Sequence, residues 1–160
     1  VSFTLNHIKL SIFVAMEKRL ELKLDREIKK ISQTIPYIHR GGCGVFSLLL
    51  WDTLAFMGIL TKPIEMFDDY PRWSRNHILL TINGLYIDSN GVHDTTKWMG
   101  LRVERPLSLE SLRNQAWDGT IWYTGVDSFN RNNILPMKNM IHKLGYAMQA
   151  EKKSMLIFVL

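Results

Sequence analysis

The chain contains a single cysteine, Cys43, among 160 residues. An internal disulfide is therefore excluded, and so is a cysteine-rich zinc site built from this chain alone. Long apolar runs are scarce as well. The richest window, Val45 to Leu60, is interrupted by Ser47, Asp52 and Thr53 and falls short of the roughly 20 residues that a membrane span needs. No membrane partner is expected. Ile8 to Met16 is broken by Lys9 and Ser11, and no small-residue cleavage pattern follows. That argues against a secretory signal and makes a cytoplasmic setting, with Cys43 reduced, the expectation. Charge of one sign is not concentrated either: the net charge of +5 is spread along the chain. Without a helix-turn-helix, zinc-finger or RNA-recognition signature, no specific nucleic-acid partner is expected. His7, His39, His77, His93 and His142 lack ligand spacing, so no metal and no cofactor are expected. No feature fixes an oligomeric state.

What is present reads as a single domain over 1–160, with an N-terminal helical segment at 1–35 and the remainder at 36–160. Hydrophobic residues at 46% and charged residues at 22% are the balance of a globular domain of this size. From about Ser11 to Ile31, Phe13, Met16, Leu20, Leu24, Ile28 and Ile31 recur at spacings of three and four, which predicts one helical stripe. Pro36 ends it. A second helix, from about Gly44 to Met57, is apolar nearly all round and should be central to the fold. Gly58 would cap it, followed by a loop through Pro63 and Pro71. His77 to Ile82 and Leu85 to Ser89 flank Asn83-Gly84, a strong signal for a two-residue hairpin. A short helix near Leu109 to Trp117, a strand near Thr120 to Gly125, a helix from about Pro136 to Ala150 and a closing strand, Met155 to Leu160, complete the pattern. Without regular βαβ alternation the class is α+β.

Cys43 follows Gly41-Gly42 and opens the second helix. A helix N-terminus offers unpaired N–H groups and partial positive charge, which favour a thiolate. The glycines leave the sulfur uncrowded. The bland alternative is a small apolar residue in the core. The hairpin register places Ile82 opposite Leu85 and Leu80 opposite Ile87, so that Ile78, Leu80, Ile82, Leu85 and Ile87 share one face. His77 and Asp88 then share the other face as diagonal neighbours, close enough for the carboxylate to orient the imidazole. A slip of one residue would separate them.

The run Gly-Gly-Cys-Gly-Val-Phe-Ser (41–47), with Leu54 and Gly58-Ile59 downstream, resembles the active-site segment of papain-like and transglutaminase-like cysteine enzymes. His77-Ile-Leu-Leu-Thr-Ile followed by Leu85-Tyr-Ile-Asp88 is similar to the histidine and aspartate strands of that superfamily, in the same chain order. The resemblance covers about 37–91. It implies a Cys-bearing central helix packed on an antiparallel sheet, a Cys43-His77-Asp88 triad and a protein or peptide substrate. Two positions depart from the pattern. Gly44 stands where an aromatic residue is common, so Trp51, Trp73 or Trp98 would have to supply the substrate wall. Tyr37 stands where papain-like proteases carry the glutamine that donates to the oxyanion; Tyr37, His39 or the backbone N–H of Cys43 would take that part.

The function expected is thus a thiol-dependent hydrolase, a peptidase or amidase working through an acyl-enzyme. The alternatives are acyl transfer of the transglutaminase type on the same triad, or a non-enzymatic interaction module using the basic helix and Trp73, Trp98, Trp117 and Trp122. His93-Asp94 would form a pair beside the site.

Overall fold

A computed structural model describes residues 2–68, 76–122 and 126–157. Among these the chain is α+β, with four α-helices and a five-stranded antiparallel sheet. The helices are α1 (Ser2–Thr34), α2 (Cys43–Phe56), α3 (Leu109–Trp122) and α4 (Ile134–Ile157); the strands are β1 (Lys62–Phe67), β2 (Asn76–Ile82), β3 (Leu85–Asp88), β4 (Gly91–His93) and β5 (Val103–Pro106). The sheet runs β4-β3-β2-β1-β5. No helix among the described residues is long and apolar enough to cross a membrane.

The stripe on α1 does what its spacing requires. Leu24, Ile28, Ile31 and Ile35 are buried in the main core together with Phe46, Leu50 and Leu54 of α2, Leu80 and Ile87 of the sheet, and Met137, Ile141 and Leu144 of α4. The N-terminal helix is therefore part of the same core as the rest of the chain. Two side-chain bonds tie it to the sheet: Asp25 Oδ1 accepts the Val92 N–H at 2.9 Å, and Ser32 Oγ donates to the Ser89 carbonyl. A smaller cluster, Ile64, Met66 and Leu79 under Tyr86, Met99 and Leu101, covers the other face of the sheet.

The hairpin follows the expected register, with Leu80 opposite Ile87 and Ile82 opposite Leu85. Asn83 and Gly84 both have positive φ, 50° and 77°, as a turn matching strand twist demands.

Three expectations fail for physical reasons. Residues 62–67, expected as loop, form β1 between β2 and β5. Pro63 is tolerated because it lies near the strand start, where its carbonyl still accepts the Leu107 N–H at 3.0 Å. The strand expected near Thr120 to Gly125 is helical as far as Trp122; 123–125 lie outside the described residues. The β-branched and aromatic residues there suggest a strand, but α3 is held on α2 by buried Leu112 and Ala116, and tertiary contact overrides local propensity. The closing strand is likewise the end of α4 through Ile157, with 158–160 outside the described residues. Met155 is buried on the helical stripe that runs from Met137 through Ile141, Leu144 and Met148.

Candidate active site

The approach to Cys43 is shaped by glycine. Ile38–Gly42 forms one wide turn of π type, broken by Arg40 and by Gly41 at φ 101°, a conformation that a side chain resists. At Gly42 an added Cβ would sit 2.9 Å from the Phe129 ring. The loop bearing Phe129 is fastened here, since the Phe129 N–H donates to the Arg40 carbonyl at 2.9 Å. Gly44 meets α3 still more closely: an added Cβ would lie 2.8 Å from the backbone Cα of Ala116. That contact explains why no aromatic residue follows the cysteine.

Cys43 is the first residue of α2 and is partly accessible. Burial alone would push its thiol up, but hydrogen bonds from His77 and from the backbone N–H groups of Ile78 and Gly44, with the charge of His77, hold it below the ordinary value of 9.0. Helix α2 is itself anchored on β2, where buried Ser47 Oγ donates to the Ile78 carbonyl at 3.2 Å.

His77 lies opposite Met66, on the same face as Asp88, and the two meet as their diagonal placement predicts. His77 Nε2 is 2.8 Å from Asp88 Oδ2, which leaves Nδ1 for the sulfur. Burial works against a charged ring. The bonds to Asp88 and Cys43 outweigh it and raise His77 from 6.5 to about 10. Both shifts run towards a thiolate facing an imidazolium.

Asp88 is only 1% exposed. Burial would raise its carboxyl, yet His77, His93 and the Asn90 backbone keep it below the ordinary range. Its Oδ1 accepts the Asn90 N–H at 2.8 Å and faces His93 Nε2 at 2.9 Å. His93 thus turns to Asp88, not to Asp94 beside it in sequence. Its ring stands 4.6 Å from that of Trp98, tilted by 43°.

Beside His77 opens a cleft of about 200 Å³, lined by the polar His39, Asn76 and Asn90 and the apolar Trp98, Met99 and Leu101. Of the tryptophans offered as a wall, Trp98 is the one at this cleft; Trp51 packs against the core and Trp73 lies outside the described residues. Tyr37 is turned elsewhere. Its residue is 46% exposed and its hydroxyl donates to Asp127 Oδ1 at 3.2 Å, so the oxyanion role expected of it does not carry over. His39 lies at the cleft with Nδ1 2.8 Å from Ser89 Oγ. Burial draws its ring below the ordinary imidazole value, and nearby His77 adds to this against the pull of Asp88.

Three neighbours escaped the sequence: Asn76, Glu65 and Gln115. Asn76 Nδ2 donates to Glu65 Oε1 at 3.1 Å and to Gln115 Oε1 at 3.2 Å, and buried Glu65 also pairs with Arg105. An acid in the apolar strand Lys62–Phe67 was a usable signal for Glu65. Gln115 is brought in by α3 and has none. Among the described residues no group of three or more His, Cys, Asp or Glu side chains is arranged to hold a metal ion. No known protein family, curated protein or solved structure matches this chain, so the chemistry of the site rests on its own residues.

Proposed function

We propose that this chain is a thiol-dependent hydrolase of the papain-like/transglutaminase-like kind, a peptidase or amidase with Cys43 as nucleophile. One observation carries the reading: the sole cysteine opens a helix and is hydrogen-bonded to an imidazole whose far nitrogen rests on a buried carboxylate. A Cys-bearing helix against an antiparallel sheet that supplies His77 and Asp88 supports the same kinship.

The Cys43 thiolate attacks the substrate carbonyl carbon, and the C=O electron pair moves onto oxygen. The N–H of Cys43 at the start of α2 faces the oxyanion. As the intermediate collapses, the C–N bond breaks and the His77 imidazolium gives its proton to the departing amine. Neutral His77 then takes a proton from water, which attacks the thioester, releases the acid and restores the thiolate. Asp88 holds the ring in the productive tautomer throughout. An amine in place of that water would give transfer on the same residues.

The test is Cys43 alkylation by iodoacetamide, followed against pH in the wild type and in His77→Ala. An apparent pKa well below the ordinary thiol value, and slower labelling at neutral pH in the variant, are expected. Slow labelling indifferent to His77 would overturn the proposal and favour an interaction module. Peptide amides with and without an added primary amine then separate hydrolysis from transfer.

A further inference from the structure

Asp88 carries two imidazoles, one on each oxygen, and only one of them meets the thiol. His77 Nε2 lies 2.8 Å from Oδ2 and His93 Nε2 lies 2.9 Å from Oδ1. The backbone places both. His77 comes from the start of β2 and Asp88 from the end of β3, while His93 pairs with Tyr86 across β3 and β4, which puts it on the Asp88 face.

We propose that His93 is a positioning residue, whose Nε2–H fixes the plane of the Asp88 carboxylate so that Oδ2 stays directed at His77. The proposal deepens the catalytic reading of Cys43, His77 and Asp88 and rests on it.

A carboxylate held by one ligand turns about its Cβ–Cγ bond. Asn90 holds Asp88 as well, its N–H 2.8 Å from Oδ1 and its Nδ2 at a long 3.5 Å from Oδ2, but both donors belong to the adjoining turn. His93 adds a second direction from the neighbouring strand. Because Asp88 is ionised, the nitrogen facing it must carry a proton, so Nε2–H of His93 is the donor. The ring is itself held: it packs at a tilt against Trp98, whose Nε1 donates to the Thr95 carbonyl at 2.9 Å. The wall of the cleft is thereby joined to the carboxylate behind His77. The other titratable groups around this cluster are Cys43 and His39 on the thiol side and, on α1, Asp25 with its partner Lys29. None of these donates to Oδ1.

The experiment is a histidine-selective NMR titration of His77, assigned with His77→Ala, in the wild type, His93→Phe and His93→Gln. Phenylalanine keeps a ring against Trp98 but removes the donor; the glutamine amide restores a donor at similar reach. His93→Ala gives the donorless reading if the phenyl ring does not fit. Loss of the donor is expected to lower the His77 midpoint by about one pH unit, a tenfold loss of proton affinity, and glutamine to restore most of it. An unchanged midpoint in the donorless variant overturns the proposal, as does an equal fall in both variants, which would assign the effect to the ring. Failure of the catalytic reading would look different: a wild-type Cys43 that alkylates slowly and ignores His77, with the His77 titration still readable.

Discussion

The proton shared by Cys43 and His77 gives the site a definite pH signature in stability as well as in reactivity. His77 is raised from 6.5 to about 10, so taken alone its contribution is complete below pH 6.5 and is lost as pH rises through about 10. Cys43 is lowered from 9.0, so its contribution is complete above that value and is lost as pH falls through the folded one. Between 6.5 and 9.0 the raised His77 makes stability fall with rising pH while the lowered Cys43 makes it rise, so the two slopes oppose each other. The urea midpoint is therefore expected to fall from pH 9.0 towards 10, where the His77 slope is no longer opposed by that of Cys43. Below 6.5 it should fall too, because His39 is held low; Asp88, lowered from 3.8, extends the loss at stronger acidity. Equilibrium unfolding at intervals of half a pH unit checks the shape. In catalysis, Asp88→Asn keeps the side-chain volume but removes the charge that orients His77. Turnover of a peptide amide should drop by about 10² to 10⁴-fold, with the alkaline limb of the rate profile displaced to lower pH.

Among the elements, the hairpin was the most legible in the sequence, since Asn83-Gly84 fixes a register and alternation then fixes the faces. Its prediction that His77 and Asp88 share a face matches the 2.8 Å bond between them. The start of α2 at Cys43 was nearly as plain, because Pro36 and the glycine pair punctuate the chain there. What could not be read was any feature decided across the fold. Helix α3 continues through residues with strand-like propensity because Ala116 meets Gly44, a contact between positions 72 apart that no local pattern announces. The short strands β4 and β5 owe their existence to neighbours, not to their own composition. The same contact yields a prediction. Gly44→Ala places a methyl 2.8 Å from the α3 backbone, where neither helix can yield by turning a side chain. A loss of about 1–3 kcal/mol is expected from overpacking, measured by urea unfolding. Cys43 should also alkylate more slowly at neutral pH as α2 shifts away from His77.

At the scale of the whole molecule, α1 cannot be removed as an appendage. Leu24, Ile28, Ile31 and Ile35 are all buried in the main core. At about 1.5–3 kcal/mol for each buried aliphatic side chain, their loss amounts to roughly 6–12 kcal/mol, comparable with the entire stability of about 5–15 kcal/mol usual for a domain. A chain beginning at Pro36 is expected to lack a cooperative thermal transition by calorimetry. Helix α1 also bears on what the sheet can do to other molecules. One border strand, β4, has its Val92 N–H occupied by Asp25; the other, β5, presents Glu104, Arg105 and Pro106. A border strand with free backbone groups is a template for pairing with another chain, and a charged, proline-ended one resists it. Asp25 is therefore a guard against intermolecular strand addition, and its replacement by alanine would leave the chain open to growth along the β4 border.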